Sequence, residues 1–359
     1  MNFEEFKERL MEEVSENLYE RGNEVGLNTT VVEKMNETYN SMVVTPEGSN
    51  VGMNINLDAY FSMYEEGMHF DDIVERVVSV VEKHLPEMPT VNVEELLDYE
   101  NMKNKLTMEV VGFERNQELL SKVPHEKMED LAVVYRFELN SNNDERATIL
   151  VSNDLMERMG ITHEQLREDA MNNAPVMRPA VIKGMNEVML EMMGPEVEDL
   201  LGDMGLPQEE LMYVATVPSK TAGAGVIAYQ EFMDQAAERL GGDFFILPSS
   251  IHEILLVKDD GAKTYQELQV MVEEVNATQV APEEKLSDNV YHYDSENHIF
   301  ELAEKFEARK KEKEMGIKEK PRERESVLGE LTKKKEEIAK NPVKKEVERV
   351  AKLKGGEVL

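Results

Sequence analysis

Four residues within five positions carry the side-chain types that acyl transfer uses: Ser249, Ser250, His252 and Glu253. A serine attacks a carbonyl when an imidazole takes its proton and a carboxylate holds that imidazole in the right tautomer. The three groups must meet in space, whereas a strand sends neighbours such as His252 and Glu253 to opposite faces. Pro248-Ser249-Ser250 is also ordinary turn chemistry. The segment is therefore read as a hairpin turn, with a Ser/His hydrolase kept as an alternative function.

Gly223, Gly225 and Ala228 spell GxGxxA, and Asp243 follows Gly223 by twenty residues. In a dinucleotide fingerprint the first glycine directly follows a strand, so that the next helix meets the pyrophosphate with its N-terminus. Here the strand is expected to end near Val217, and Pro218 to Ala222 intervene. Asp243 precedes its strand instead of following one. A connecting loop is the expectation, and no cofactor is assigned. Lys220-Thr221 resembles a P-loop ending, but Ser219 stands where that motif needs glycine. The seven histidines show no HxH or HExxH spacing. His292 and His298 lie on either side of a predicted turn and could hold a metal with Asp294. Chance placement on a polar hairpin is the preferred reading, and no metal is assigned. Of the 24 methionines, Met185, Met189, Met192 and Met193 cluster. Helical spacing makes them core filler before it makes them an adaptable binding surface.

These residues need elements to position them. Phe3, Phe6, Leu10, Val14 and Leu18 recur at helical spacing, with acidic residues between them. Short strands are predicted at Val31–Met35, Tyr39–Val44 and Val51–Leu57, and a helix follows with Ile73, Val74, Val77 and Val81 on one face, ending before Pro86. Val93–Met102 reads as helix; Leu106–Val111, Leu131–Leu139 and Ala147–Val151 read as strands. Thr162 with Gln165 starts a helix that Pro175 is expected to stop. Met185–Met193 is helical, and Glu196–Leu201 and Pro207–Leu211 continue in that fashion. Leu211–Val217 is a strand and Val226–Tyr229 a candidate one, before a helix over Gln230–Leu240. Phe244–Leu247 and Ile251–Val257 are strands, Tyr265–Val275 a helix, and Val290–Tyr293 with Ile299–Leu302 a hairpin. Adjacent strands with short turns imply antiparallel pairing, hence an α+β fold of mainly antiparallel sheet with packed helices. A division of the 1–300 body into two lobes, bounded near 86–140, stays open. Beyond it, 301–359 alternates Lys and Glu around Pro321 and Pro342, a charged tail read as partly helical or disordered.

The segments DFFILPSSIHEILLVKDD (Asp243–Asp260), EEVNATQVAPEEKLSDNVYHYD and LMERMGITHEQLREDAMNNA resemble an uncharacterised domain-of-unknown-function family of Clostridia and gut Firmicutes, often encoded on integrative and conjugative elements. The likeness covers about residues 1–300 and implies a bacterial cytosolic setting; it carries over no catalytic residue.

Charge narrows the partners. Residues 1–300 hold 22 basic and 60 acidic residues, against 18 and 14 afterwards, within a net charge of −34. Such a body repels phosphate, so neither direct nucleic-acid binding nor an anionic membrane surface is expected. A protein with a basic surface is the expected partner. The absence of cysteine excludes disulfides and thiol chemistry. The N-terminus is charged and lacks the apolar core of a signal peptide, and no apolar run is long enough to span a bilayer. The reading is a non-enzymatic cytoplasmic interaction protein of a mobile element; the alternatives are a DNA-mimic inhibitor and the hydrolase above.

Overall fold

The computed structural model describes residues 1–87, 92–141, 146–193, 210, 212–248 and 250–314. The chain divides into compact units at Met1–Phe306 and Glu307–Leu359. The first is α+β, with three antiparallel sheets among the described residues.

The N-terminal layer begins with α1 (Phe3–Glu20). Asn2 and Glu5 form a reciprocal capping box, and Phe6, Leu10, Val14 and Leu18 are buried at four-residue spacing. Strands β1 (Val25–Lys34), β2 (Glu37–Pro46) and β3 (Met53–Asn56) form a sheet in that order. β1 starts six residues before the sequence pattern suggested, because its middle, Asn28 to Val31, is exposed and shows no apolar alternation. Met35 lies in the turn, where Asn36 takes φ +64°. Helices α2 (Leu57–Glu65) and α3 (Phe70–His84) complete a separate core, with Ile73, Val77 and Val81 fully buried.

Short helices α4 (Val93–Leu97) and α5 (Tyr99–Met102) follow, split where the Asp98 side chain caps the Glu100 N–H at 3.1 Å. The second sheet comprises β4 (Leu106–Gly112), β5 (His125–Met128), β6 (Leu131–Ser141) and β7 (Arg146–Leu150), with α6 (Gln117–Leu120) between β4 and β5. β6 is central: β4 lies on one side, β5 and β7 on the other. α7 (Asn153–Arg158) leads to α8 (His163–Met177), where Thr162 accepts the Gln165 N–H at 3.2 Å. α8 runs two residues beyond Pro175, since a proline in the last turn costs only one helical bond.

The third sheet has six strands in the order β13-β12-β10-β11-β9-β8, all antiparallel. They are β8 (Val181–Gly184), β9 (Tyr213–Thr216), β10 (Phe244–Leu247), β11 (Ile254–Lys258), β12 (Tyr291–Asp294) and β13 (Ile299–Leu302), with α9 (Met185–Met193), α10 (Gln230–Leu240) and α11 (Tyr265–Thr278) between strands and α12 (Ala303–Glu314) after β13. Phe244 and Ile246 pack with α10, while Phe245 and Leu247 pack with α11. Burial on both faces explains the unbroken apolar run of β10. Val226–Tyr229 is not a strand: Gly223–Ala228 forms a buried 3-10 turn against β4 and β9, joining the second and third sheets in one core. The predicted helix at Glu196–Leu201, that at Pro207–Leu211 apart from Glu210, and the tail beyond Glu314 lie outside the described residues. Among the described residues no helix is long and apolar enough to cross a membrane.

Candidate functional site

The loop before β11 gathers the residues first singled out. Ser249 lies outside the described residues. Ser250 makes an isolated bridge to Lys285, and its Oγ accepts the His252 N–H at 2.9 Å. His252 Nδ1 accepts the Ala222 N–H at 3.2 Å, so that nitrogen carries no proton; the other, Nε2, donates toward Glu284 Oε1 at 3.3 Å. Glu253 is exposed, and the carboxylate beside the ring comes from position 284. Both ring nitrogens therefore face groups other than Ser250. The His252 carbonyl accepts from Thr216 Oγ1 at 2.7 Å and from the Gly223 N–H at 3.0 Å. His252 fastens the left-handed Ala222 (φ +48°) and the 3-10 turn behind it to the third sheet.

The same contacts account for the glycine pattern. A Cβ on Gly223 would lie 2.1 Å from Thr216 Oγ1 and 2.4 Å from the His252 carbonyl oxygen; one on Gly225 would lie 2.9 Å from the Met108 carbonyl oxygen. Close backbone packing dictates both glycines. Asp243 accepts from the Ser295 N–H at 2.8 Å and its hydroxyl at 2.6 Å, closing the β12–β13 turn. Lys220 takes φ +54°, and the Thr221 carbonyl accepts from Arg178.

The final hairpin sends its histidines to different carboxylates. His292 is fully buried; its Nε2 lies 3.1 Å from Asp259 Oδ2, and its ring stacks on Phe306 at 3.5 Å. Asp294 Oδ1 accepts the Asn297 N–H at 3.0 Å. His298, at φ +52°, places Nδ1 2.8 Å from Asp234 Oδ1 and 3.1 Å from the Tyr293 hydroxyl. Among the described residues no group of three or more His, Asp or Glu is placed to hold a metal. The Tyr293 hydroxyl donates to Asp234 at 2.6 Å and, with His298, holds that carboxyl below the ordinary Asp value. A depressed carboxylate stabilises the fold above its unfolded pKa, and the contribution fades as pH falls through the folded one. Wild type should therefore be more stable than Asp234→Asn at neutral pH, with the gap in melting temperature closing below about pH 4. An unchanged gap at pH 3 would contradict this role for Asp234.

Two polar hubs escaped the sequence reading. Asp130 accepts from Tyr291 Oη at 2.5 Å, Ser287 Oγ at 2.8 Å and Asn289 Nδ2 at 2.9 Å, tying the β5–β6 turn to the third sheet. Asn36, at the β1–β2 tip, exchanges bonds with Asn116 at 2.6 and 2.8 Å and donates to the Glu283 carbonyl at 2.8 Å. Neither contact has a signature in residue spacing.

The outer face of α1 is the other feature. Glu4, Glu8, Glu12, Glu16 and Glu20 are all exposed and recur every fourth residue, opposite the buried stripe. At helical rise their Cα atoms stand about 6 Å apart along the axis. Lys7 pairs with Glu4 and Arg9 with Glu13.

The matched family model describes a family of unknown function, DUF5688, over residues 3–295. The chain belongs to that family. The match starts at the first residue of α1 and ends in the turn after β12, so it takes in strands of all three sheets. No curated protein and no solved structure matches the chain.

Proposed function

We propose that this chain is a non-enzymatic cytoplasmic interaction protein of a bacterial mobile element, and that its acidic body binds a protein with a basic surface. The observation that carries the reading is the carboxylate row on α1. Like charges at i,i+4 destabilise a helix by about 0.2–0.5 kcal/mol per pair. The row contains four such pairs, a cost that packing alone does not require of solvent-facing positions. The excess of 60 acidic over 22 basic residues in 1–300 extends the same field. The hydrolase alternative draws no support from His252, whose ring nitrogens face Ala222 and Glu284. The regularity of the row favours one second reading, an inhibitor that presents carboxylates in place of DNA phosphates.

Glu12→Lys separates stability from binding. It replaces two repulsive i,i+4 pairs with two attractive ones, so the protein should gain about 1–2 kcal/mol in denaturant unfolding. The decisive experiment is affinity capture from the host with wild type and with Glu8→Lys/Glu12→Lys/Glu16→Lys, each with and without residues 307–359. Basic proteins held by wild type and released by the triple variant are expected. An identical captured set sinks the reading. A panel of restriction nucleases inhibited by wild type alone selects the mimic instead.

A further inference from the structure

We infer that the free edge of β1 takes up an extended, Lys- and Arg-bearing segment of a partner protein as a fourth strand of the N-terminal sheet. This rests on the acidic body being a surface for a basic protein, and it names how that protein is held.

The edge itself is the first observation. β1 is ten residues long and, among the described residues, pairs only with β2. Its outward-facing groups follow from the register. The Asn40 N–H is taken by Asp58 Oδ2 at 2.8 Å, on the β3 side of β2. Val31, opposite Asn40, therefore sits at a non-hydrogen-bonded pair, and its N–H and C=O point away from β2. Alternation puts the same groups of Thr29 and Leu27 on that edge. The Thr30 hydroxyl reaches the Val31 carbonyl only at 3.5 Å, the limit for a hydrogen bond. Natural edges are usually blunted by proline, lysine or a bulge. Asn28-Thr29-Thr30-Val31-Val32 carries none, and Val31 is 58 % exposed.

What lies beside the edge selects the occupant. A groove of about 440 Å³ opens at the start of β1, lined by Ser15, Glu16, Tyr19, Asn23, Glu24 and Val25. Tyr19 is 71 % exposed, an aromatic face on which a cation can rest. A hydrogen bond shared between the Glu24 and Glu47 carboxyls holds Glu24 above its ordinary range, the mark of two acids close together. The neighbouring guanidinium, Arg21, is committed to Glu75 at 2.6 Å and Glu82 at 3.1 Å. An added strand would gain main-chain hydrogen bonds along β1 and charge pairing in the groove. A second copy of this chain would bring another strongly acidic body to the same place and be repelled. A basic strand is drawn in.

The test is fluorescence anisotropy on the full chain with two labelled decapeptides of equal charge. One alternates Lys with Val and Thr; the other replaces the Val and Thr with Pro, which removes the ladder donors. Wild type should bind the first at least ~10-fold more tightly than the second. Thr29→Pro, which removes an outward N–H only, and Glu16→Lys/Glu24→Lys should each weaken the first peptide ~10-fold. Melting curves check the folding of each variant, and Val31→Lys replaces Thr29→Pro if the proline unfolds the hairpin. Equal affinity for both peptides overturns the edge and leaves the basic-partner reading standing. Failure of both peptides and of poly-lysine to bind sinks both. A concentration-dependent dimer that Thr29→Pro abolishes assigns the edge to a second copy and overturns the inference.

Discussion

Alanine at position 223 is expected to lower the unfolding free energy by about 3 kcal/mol, at the upper end of overpacking costs. The added methyl carbon would stand 2.1 Å from Thr216 Oγ1, 2.4 Å from the His252 carbonyl oxygen and 2.9 Å from the Val217 nitrogen. Thr216 cannot swing clear cheaply, because its hydroxyl donates to that same carbonyl at 2.7 Å. The His252 backbone cannot retreat alone either, since Ile251 is held by the Glu284 carbonyl at 2.8 Å. The 3-10 turn must lift, and with it Val226 and Ile227, which sit in the core shared by the second and third sheets. Gly225→Ala meets one carbonyl oxygen, Met108, at 2.9 Å and should cost less, about 1–2 kcal/mol. Guanidinium melts at constant m give both values. Gly223→Ala unfolding within 0.5 kcal/mol of wild type, a difference of the size that surface substitutions show, would mean that this contact is not rigid.

The glycine pattern also shows how far the sequence could be read. Its unsuitability for a dinucleotide was legible, because five residues stand between the strand and the first glycine. Its actual role was not, because the atoms that exclude a Cβ belong to Thr216, His252 and Met108, far apart along the chain. Val226-Ile227-Ala228-Tyr229 looked like a strand because a short apolar run has no period to distinguish strand from buried turn. The amphipathic helices were plain: α1 and α3 bury the residues their spacing marks. β10 was plain because Gly241-Gly242 before it and Pro248 after it bound its apolar run with turn residues, whereas Val226–Tyr229 passes straight into a helix. The candidate site was legible in residue types and not in partners. His252 sits by Glu284, 32 residues on, while the adjacent Glu253 points to solvent. Asn36 with Asn116 and Asp130 with Tyr291 span 80 and 161 residues, and only the folded chain brings them together. The carboxylate row on α1 differs: a glutamate at every fourth position is visible in the letters alone, once the buried stripe has fixed the helix face.

Arg178→Met should cost more than any surface change, about 3–5 kcal/mol, the range for removing one partner of a buried ion pair. Arg178 and Glu138 have side-chain exposures of 5 % and 10 %, with Nη1 3.4 Å from Oε2. The guanidinium also donates to the Thr221 carbonyl. One side chain thus joins the end of α8, the C-terminal half of β6 and the loop that leads into the 3-10 turn. Methionine keeps the volume of the stem and removes the charge, so most of the loss comes from taking the guanidinium away from a carboxylate in a place of low dielectric. Arg178→Lys keeps the charge but not the planar fork, and cannot reach the carboxylate and the carbonyl from two nitrogens as arginine does. It should fall between wild type and Arg178→Met. The double variant Arg178→Met/Glu138→Met removes the buried charge altogether and should recover at least ~1 kcal/mol of the single-variant loss. Denaturant unfolding of the four proteins closes the cycle. A coupling near zero would show that water reaches Glu138 and that the pair positions the loop without holding the fold. A coupling of ~1 kcal/mol or more places the bond among those that hold the second and third sheets together.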